Sequence, residues 1–571
     1  MAPAMRKGQA PPGAETRTER MVDMSARGKR EKCKGKRAQG RQKPGNKKPN
    51  QSESKARERA EAMNGDISPA RFKGKGAERG SMAERRLGGE RMSAYAHRML
   101  IESIEAVAER RGIVLRDPER NFTRLRAMSL ADVLCFLVFA SEDTTSAELC
   151  DYFDGWRGKA PSVSALTQAR KKLTPEAMPE LLREFLSRFD VVPYLGRYRL
   201  LAVDGTGVGI ARNADKRTEV TSNQYGRHRN EMHPTLLFDP VRRTFEDMVV
   251  QGSKVQNEPA ALVELIARLD AGRGPDGALL TPLWLADRNY TNYNTLWHII
   301  DSGGRFCMRC RDDWARTVLG EDFVEGEFDV TVDRYLTRSR VTARRHSSKE
   351  AHVIDPKTRL DPLPKGSKGE VHMRLRFVRV EIPASEDGGP DEDEAGKARA
   401  SEGEKAESGK KGDKPKGGKK AKGCKKGDGK NWLIIVTNLS AEDFGTDEIV
   451  ALYRVRWSEE VGIRFLKHTC GMKDPRCRDY ERAEQEIWGR VILASACALA
   501  MAEVEKPEPG PKHEREVDVT MAFKAFLRKL EGRVEVVLEA VCKRYTHSVR
   551  PDRHFERRLS KESRVSLTNR H

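Results

Sequence analysis

Four polar side chains recur at helical spacing in the segment "YRVRWSEEVGIRFLK". Its residues Tyr453, Arg456, Glu460 and Lys467 stand at offsets of 0, 3, 7 and 14. At about 100° per residue in a helix, these offsets fall within an arc of about 60°. A solvated helix face spreads its polar residues more widely. One narrow stripe with a phenol, a guanidinium, a carboxylate and an ammonium therefore predicts a dedicated chemical role.

Two aspartates are placed where they can meet the glutamate of this stripe. Asp204 ends the strand-like run "RYRLLAVD", and Asp287 ends "LWLAD". Active groups of α/β sheets lie at strand ends, so we expect both carboxylates to converge with Glu460. Three carboxylates form a hard, oxygen-rich site that suits Mg²⁺. Two such ions can activate an attacking oxygen and stabilise a leaving one at a phosphodiester.

The other stripe residues fit a nucleic-acid strand held over that site. Arg456 and Lys467 would neutralise phosphate charge, and arginine can do so through two parallel hydrogen bonds. Tyr453 would stack on, or hydrogen-bond to, a displaced nucleotide. The pattern thus predicts metal-dependent chemistry on DNA.

Each of these residues also has an ordinary structural interpretation. A strand-end aspartate is more often a turn-former than a ligand. Two further acids compete for the site. Glu459 lies about 100° from the stripe, which predicts that it points away from the acids. Asp239 precedes Pro240, where a hairpin turn is the simpler explanation.

Charge points to a polyanionic partner. The 571-residue chain carries a net charge of +21, and its pI is about 9.5, as is common for proteins that bind nucleic acid. Residues 1–60 hold 18 Lys and Arg against 6 Asp and Glu. A soluble protein with basic tails is the alternative interpretation. The tail has almost no aliphatic clusters, so we expect it to be disordered.

Cysteine usage and hydropathy favour a cytoplasmic chain. No apolar run reaches the ~18 residues of a membrane span, and the N-terminus lacks the apolar core of a secretory signal. Ten scattered cysteines are typical of reduced thiols. The pair Cys307 and Cys310 has metal-ligand spacing, but its context "RFCMRC" alternates like a strand, which we favour over zinc binding.

Periodicity divides the chain into blocks. Helical patterns begin near residue 92, with Ser129 as an N-cap, and the basic "QARKKL" (168–173) is either a DNA-contacting helix or a solvated bundle face. Strands alternate with helices from 197 to 310, and strand-like alternation follows. The segment 384–430 is a charge-segregated, Gly-rich stretch expected to form a flexible loop. "NWLIIVTNLS" then predicts a buried strand, and "EIWGRVILASACALAMAEV" a buried helix.

Together these motifs resemble a known family. "YRVRWSEEVGIRFLK" is similar to the Tyr-x2-Arg-x3-Glu-x6-Lys signature of the transposases of insertion sequence family four, a branch of the DDE superfamily. "VDGTGV" and "ADRNY" are similar to its first and second aspartate motifs, and "SALTQARKKL" and "TNLS…IVALYR" to other segments of the group. The resemblance covers about residues 120–505. Asn289 stands where the family often has Gly, and asparagine tolerates a turn that requires positive φ.

The resemblance implies a fold, an activity and a set of sites. The fold is α/β: a ribonuclease-H-like core, a mixed sheet flanked by helices, with an N-terminal helical domain and a β-rich insertion between the second Asp and the Glu. Asp204, Asp287 and Glu460 would be the catalytic acids holding two Mg²⁺ ions, with Mn²⁺ able to substitute. Tyr453, Arg456 and Lys467 would contact the DNA ends.

The implied activity is cut-and-paste transposition. Double-stranded DNA, as terminal inverted repeats and target, would be the partner, bound by a homodimer in the synaptic complex in the bacterial cytoplasm, with no role for a membrane. An immobile or domesticated nuclease and a non-enzymatic basic DNA-binding protein are the alternatives. A non-enzymatic DNA-binding protein needs no metal, so Mg²⁺-dependent nicking of DNA would distinguish it from the transposase and the nuclease.

The expected domains follow the composition and the resemblance. They are a disordered basic tail (1–90), a helical DNA-binding domain (91–190), the first part of the catalytic core (191–310), the β-rich insertion (311–440), the second part of the core with the signature helix (441–505), and a helical basic C-terminal region (506–571).

Overall fold

The computed structural model describes residues 90–549 apart from 125–127, 141–143, 154–159, 222–227, 275–276, 383–430, 474 and 531–536. The basic tail up to residue 89 and the expected loop at 384–430 lie outside the described residues.

Short helices form the N-terminal part of the described chain. They are α1 (Met92–Glu109), α2 (Arg111–Val114), α3 (Leu130–Phe139), α4 (Thr145–Tyr152), α5 (Val163–Arg170) and α6 (Ala177–Ser187). The predicted cap is confirmed, because the Ser129 hydroxyl accepts a hydrogen bond from the Asp132 backbone N–H. Helix α1 stops at Glu109, and Gly112 lies within the short helix α2.

Strands and helices then alternate as the apolar runs predicted. The elements are β1 (Tyr198–Gly205), β2 (Val208–Ile210), β3 (Glu219–Thr221), β4 (His228–Asp239), β5 (Thr244–Gly252), α7 (Glu258–Arg268), β6 (Thr281–Ala286), α8 (Tyr293–Asp301) and β7 (Arg305–Arg309). Asp239 accepts hydrogen bonds from the backbone N–H groups of Val241 and Arg242. Its interpretation as the turn residue of the β4–β5 hairpin is confirmed.

The remaining elements complete the sheet and return the chain to its helices. They are α9 (Asp312–Leu319), β8 (Phe328–Thr337), α10 (Arg340–Ala343), β9 (Ala351–Val353), β10 (Glu370–Ile382), β11 (Asn431–Thr437), α11 (Thr446–Arg454), α12 (Trp457–His468), α13 (Tyr480–Ala500), β12 (Arg515–Val517), α14 (Val519–Leu530), α15 (Leu538–Arg544) and β13 (Thr546–Ser548). The predicted buried strand and buried helix are β11 and α13.

One mixed sheet contains eleven strands of the described chain. Its main order is β2-β4-β1-β6-β7-β11-β10-β8-β9, and β3 and β5 also pair with β4. The strands β1, β6 and β7 are parallel, whereas β4 runs antiparallel to β1 and β11 antiparallel to β7. The strands that follow the second aspartate therefore extend the same sheet.

The central strands are buried on both faces, which explains their continuous apolar runs. Along β1, Leu201 and Val203 pack into the cluster that includes α7 and α8, whereas Leu200 and Ala202 pack toward the cluster that includes α11. Side chains alternate along a strand, so the next residue, Asp204, belongs to the face that carries α11.

The N-terminal helices share a hydrophobic core with α12, α13 and strands β4 and β5. The arginine of "QARKKL" belongs to this contact: Arg170 is buried and pairs with Glu486 on α13 at 2.9 Å. Arg170 is therefore neither solvated nor free to contact DNA, whereas Lys171 is exposed. No helix among the described residues is long and apolar enough to cross a membrane.

Candidate active site

The two predicted aspartates lie at neighbouring strand ends. Val203 of β1 is in register with Ala286 of the parallel strand β6. Asp204, the next residue of β1, and Asp287, which follows β6, therefore lie side by side, on strands about 4.8 Å apart. The Asp204 carboxylate also accepts a 2.9 Å hydrogen bond from the Gly205 backbone N–H.

Arg456 joins these strand ends to the third predicted acid. Its Nη2 donates to Glu460 Oε1 at 2.9 Å, and its Nη1 lies 3.8 Å from Asp204 Oδ2. Asp287 is close enough to contribute to the electrostatics of the same guanidinium. Arg456 is only 6% exposed, and its Nε has no hydrogen-bond partner. The structure thus brings Asp204, Asp287 and Glu460 together around the buried guanidinium of Arg456.

Tyr453 and Lys467 border this cluster on opposite sides of the helix junction. The Tyr453 ring is buried, and its centroid lies 5.7 Å from the Arg456 guanidinium. Burial raises the pKa of Tyr453, so its hydroxyl remains protonated. Lys467 Nζ donates to Thr206 Oγ1 at 2.9 Å, beside the turn that follows Asp204. Partial burial lowers the pKa of Lys467, and the nearby Glu231 opposes that shift.

The signature segment is not one uniform helix, so our premise of constant pitch is wrong. Helix α11 ends at Arg454 and α12 begins at Trp457. Between them the N–H groups of Arg456 and Glu459 bond the carbonyls three residues earlier, at Tyr453 and Arg456. Such a turn advances about 120° per residue instead of 100°. The junction therefore rotates the residues after it relative to Tyr453.

This rotation corrects the placement of Glu459. We expected its side chain to point away from the acids, but it is fully buried among them. No side chain donates a hydrogen bond to its carboxylate, and the Asp204 backbone N–H is the donor that faces it. Burial, reinforced by the nearby Asp204 carboxylate, raises the pKa of Glu459 well above its usual range. Two adjacent glutamates thus belong to one acidic cluster.

Asp204 is under electrostatic stress. Burial raises its pKa to about 6, Arg456 opposes the shift, and Asp287 and Glu460 add to it. Four carboxyl groups, those of Asp204, Asp287, Glu459 and Glu460, have the Arg456 guanidinium as a shared neighbour. This set of hard oxygen donors has the chemistry that suits a divalent cation such as Mg²⁺. Among the described residues, no group of three or more His, Cys, Asp or Glu is spaced to hold a metal as placed.

A layer of polar residues behind the acids was not predicted. His233 Nε2 lies 3.0 Å from Glu258 Oε1, directly against Gly205. A Cβ at Gly205 would approach that histidine nitrogen to 2.4 Å, which explains the glycine after the aspartate. Burial raises the pKa of the Tyr290 hydroxyl well above its usual range; Glu258, Asp204 and Glu459 reinforce that shift, and Thr235 opposes it. The only sequence signal for this layer was the small residue after Asp204.

The second aspartate motif also differs from expectation. Asn289 lies in a short 3₁₀ turn, Arg288–Tyr290, that needs no positive φ. Its amide oxygen accepts a hydrogen bond from Arg311. Of the two cysteines predicted to lie in a strand, Cys307 is confirmed as a residue of β7, whereas Cys310 lies one residue beyond the end of that strand.

Comparison with known proteins identifies a family model that matches this chain. Residues 195–496 match the family model described as a transposase DDE domain. A search among curated proteins found no match. Among solved structures, the chain is similar to a piggyBac transposase in a cryo-EM synaptic complex with hairpin DNA. That similarity has 10% identity and a TM-score of 0.33, and it covers 84% of this chain and 77% of the other.

Proposed function

Because the chain belongs to the family of proteins with a transposase DDE domain, we propose that it is the cut-and-paste transposase of an insertion sequence of family four. The Tyr-Arg-Glu-Lys spacing supports this assignment within the wider family. In the proposed reaction the protein binds the terminal inverted repeats, cleaves at the element ends and joins the freed 3′ hydroxyls to target DNA. DNA transposition is thus its proposed biological role.

The proposed catalytic core is ribonuclease-H-like. A mixed sheet with helices on both faces and two aspartates at adjacent strand ends supports this fold. We further propose that residues 91–190 contribute to DNA binding, that strands β8–β11 form the insertion, and that a homodimer holds two DNA ends in the bacterial cytoplasm.

The proposed ligands of two divalent ions are Asp204, Asp287 and Glu460. Mg²⁺ would activate the attacking oxygen and stabilise the leaving one, and Mn²⁺ would substitute for it. The protein's own contribution is to fix these carboxylates on two strand ends and one helix. The three acids are half-buried, and the Arg456 guanidinium offsets their mutual repulsion.

The remaining signature residues would engage the DNA backbone. Lys467 is the most accessible of them and lies at the Thr206 turn, where an ammonium can meet a phosphate near the acids. Tyr453 and Arg456 are buried, so we propose that they contact the DNA end only at the reacting position.

The observation that carries the proposal is the meeting of Asp204, Asp287 and Glu460 around Arg456. Asp204→Asn, Asp287→Asn and Glu460→Gln should each abolish strand cleavage and leave binding to the element ends largely intact, because each removes a ligand that aligns the reacting oxygens. Cleavage and gel-shift assays on the same preparations measure both properties.

Glu321→Gln is the matched control, since Glu321 is an exposed acid outside the cluster. It should cleave like the wild type. Wild-type cleavage by Asp204→Asn, Asp287→Asn or Glu460→Gln would remove that residue from the proposed triad.

A further inference from the structure

The chain that connects β8 to β10 carries a concentration of positive charge that the proposed chemistry does not use. Residues 338–374, which include α10, β9 and the start of β10, hold ten Lys and Arg against four Asp and Glu, a net charge of +6. Residues 1–60 carry +12 of the +21 of the chain, which leaves +9 for all other residues. Most of the net charge outside the tail thus belongs to this one segment.

Five exposed cations of this segment lie on two adjoining turns. The first turn is α10 with the residues that follow it, and the second precedes β10. The Thr342 hydroxyl of the first turn donates a 2.8 Å hydrogen bond to the Lys368 carbonyl oxygen of the second. None of the five pairs with an acid in the described part of the chain. We call these five residues the basic cap: Arg340, Arg344, Arg345, Lys365 and Lys368.

The acids of the same segment are engaged by other groups. Glu350, Asp355, Asp361 and Glu370 each lie within hydrogen-bond distance of a partner that is not a residue of the cap. In chain order these partners are the Ser347 hydroxyl, the Lys357 backbone N–H, the Arg359 guanidinium and the His346 imidazole. The positive charge of the cap is therefore not neutralised by the acids nearest to it in the sequence.

Other side chains hold the backbone of the cap in a fixed shape. Arg338 donates to three backbone carbonyls of the loop between β9 and β10, at 2.6–3.1 Å. The Tyr335 ring of β8 stacks on His346 at 3.6 Å between centroids and on His372 of β10 at 4.7 Å. Cations on a fixed backbone lose less conformational entropy on binding than cations on a flexible chain. The cap thus differs from the basic tail in being part of the fold.

Strand register places the cap far from the acids. Phe377 of β10 is level with Val203, the residue before Asp204, through the paired strands β6, β7 and β11. Strand β10 runs in the same direction as β1 and begins at Glu370, seven residues before Phe377. At about 3.4 Å per residue, its start lies about 24 Å from that level. The cap is therefore at the edge of the sheet opposite the acids.

We propose that the basic cap binds the phosphate backbone of duplex DNA at a position away from the cleaved end. Five exposed cations without neighbouring counter-charges suit a polyanion, and contacts to phosphate require no particular base sequence. The cap strengthens the hold on DNA without touching the reacting phosphodiester. This role rests on DNA being the partner, as in the proposed function.

The test measures how salt weakens binding of the full-length protein to a random-sequence duplex, by fluorescence anisotropy. Arg340→Gln, Arg344→Gln and Arg345→Gln together should make the log–log salt slope shallower by about 2 to 3, since each phosphate contact contributes about 0.9. Lys365→Gln with Lys368→Gln, on the other turn, should make it shallower by about 1 to 2. Thermal unfolding verifies that both variants fold.

The matched control removes the same charge from exposed arginines outside the cap. Arg183, Arg268 and Arg316 each pair with an acid on their own helix, so they are less free to bind a phosphate. Their joint change to Gln should alter the slope by less than one phosphate contact. An equal effect of the control and the cap variants would assign the change to net charge alone and overturn the proposal. A wild-type slope in both cap variants would overturn it as well.

Two further results separate the cap from its premise. If the wild type does not bind duplex DNA at any salt concentration, the DNA-directed function and the cap fail together. If the wild type binds and the cap variants keep its slope, only the cap fails. Asp204→Asn should keep the wild-type slope, because salt dependence does not report on the catalytic acids. Cap variants that lose binding to polyglutamate but keep the slope for DNA would identify an acidic protein as the partner and overturn the proposal.

Discussion

At the scale of single residues, the acidic cluster lowers the stability of the fold and provides the groups needed for the proposed reaction. Asp204 is held near other carboxylates, and Glu459 is buried with no side-chain hydrogen-bond donor. Both features disfavour the ionised forms in the absence of a cation. Such strain is common at functional sites, where the groups needed for reaction are not those that best stabilise the fold.

Asp204 should therefore give stability a defined pH dependence. Its pKa rises from an ordinary 3.8 to about 6 on folding. Below the lower pKa, Asp204 is protonated in both the folded and the unfolded state, so it does not change the free energy of unfolding. As the pH rises toward 6, the unfolded chain loses this proton first, and the folded state loses stability. Above that window the destabilisation is constant, at up to about 3 kcal/mol.

Asp204→Asn removes this contribution. In EDTA, its melting temperature should exceed that of the wild type by an amount that grows from pH 4 to pH 6 and then levels off. Added Mg²⁺ should narrow the gap, since a cation that binds only the folded wild type stabilises it. Calorimetry across the pH series measures both effects. A gap that stays constant from pH 4 to pH 8 would contradict the assigned origin.

At the scale of elements, the sequence pattern predicted the strands, the cap and the turn that local interactions determine. Apolar runs predicted β1, β6 and β11, and alternation predicted β8 and β10. Both patterns are visible in the sequence because they reflect which faces of a strand are buried. The cap at Ser129 and the turn at Asp239 were predictable for the same reason. The strand order was not, since it depends on pairing between distant segments.

The candidate site shows where periodicity fails. Uniform helical spacing correctly grouped Arg456 with Glu460, four residues apart. It misplaced Glu459 because a single tightened turn between α11 and α12 changes the rotation. Spacing cannot reveal that turn, which depends on how both helices pack on the sheet.

The contact between α13 and α3 provides an element-scale prediction. A Cβ at Gly489 would lie 2.1 Å from the carbonyl oxygen of Leu137, a backbone atom that cannot move aside. Gly489→Ala should therefore destabilise the protein by roughly 1–3 kcal/mol, although alanine favours helices. Gly112→Ala is the control, since its Cβ would meet nothing within 4 Å. Urea unfolding compares them, and equal stability of the two variants would contradict the close contact.

At the scale of the whole molecule, the helical N-terminal part and the sheet are joined through one hydrophobic core. Residues of α1, α3 and α6 pack with α13, and Arg476 pairs with Glu148 on α4 at 2.5 Å. The site-bearing helix α12 contributes Leu466 to the same core. The geometry around Glu460 thus depends on packing that extends from the first helix of the described chain.

Much of the positive charge of the chain belongs to its first 60 residues. Residues 1–60 hold 18 Lys and Arg against 6 Asp and Glu, a net charge of +12 out of +21 for the chain. Unpatterned charge of this kind binds phosphates without regard to sequence. The signature residues, by contrast, lie at the acids. Affinity for arbitrary DNA and cleavage at a defined end should therefore be separable.

Deleting residues 1–80 should weaken binding to arbitrary duplex DNA and flatten its salt dependence, while specific cleavage persists. For every phosphate that the tail no longer neutralises, the log–log salt slope should become shallower by about 0.9. Fluorescence anisotropy across a salt series measures the slope, and a variant with the tail's Lys and Arg changed to Gln controls for length. Both variants should behave alike if charge is the cause. An unchanged slope in the deletion variant would show that the tail does not bind DNA in that complex.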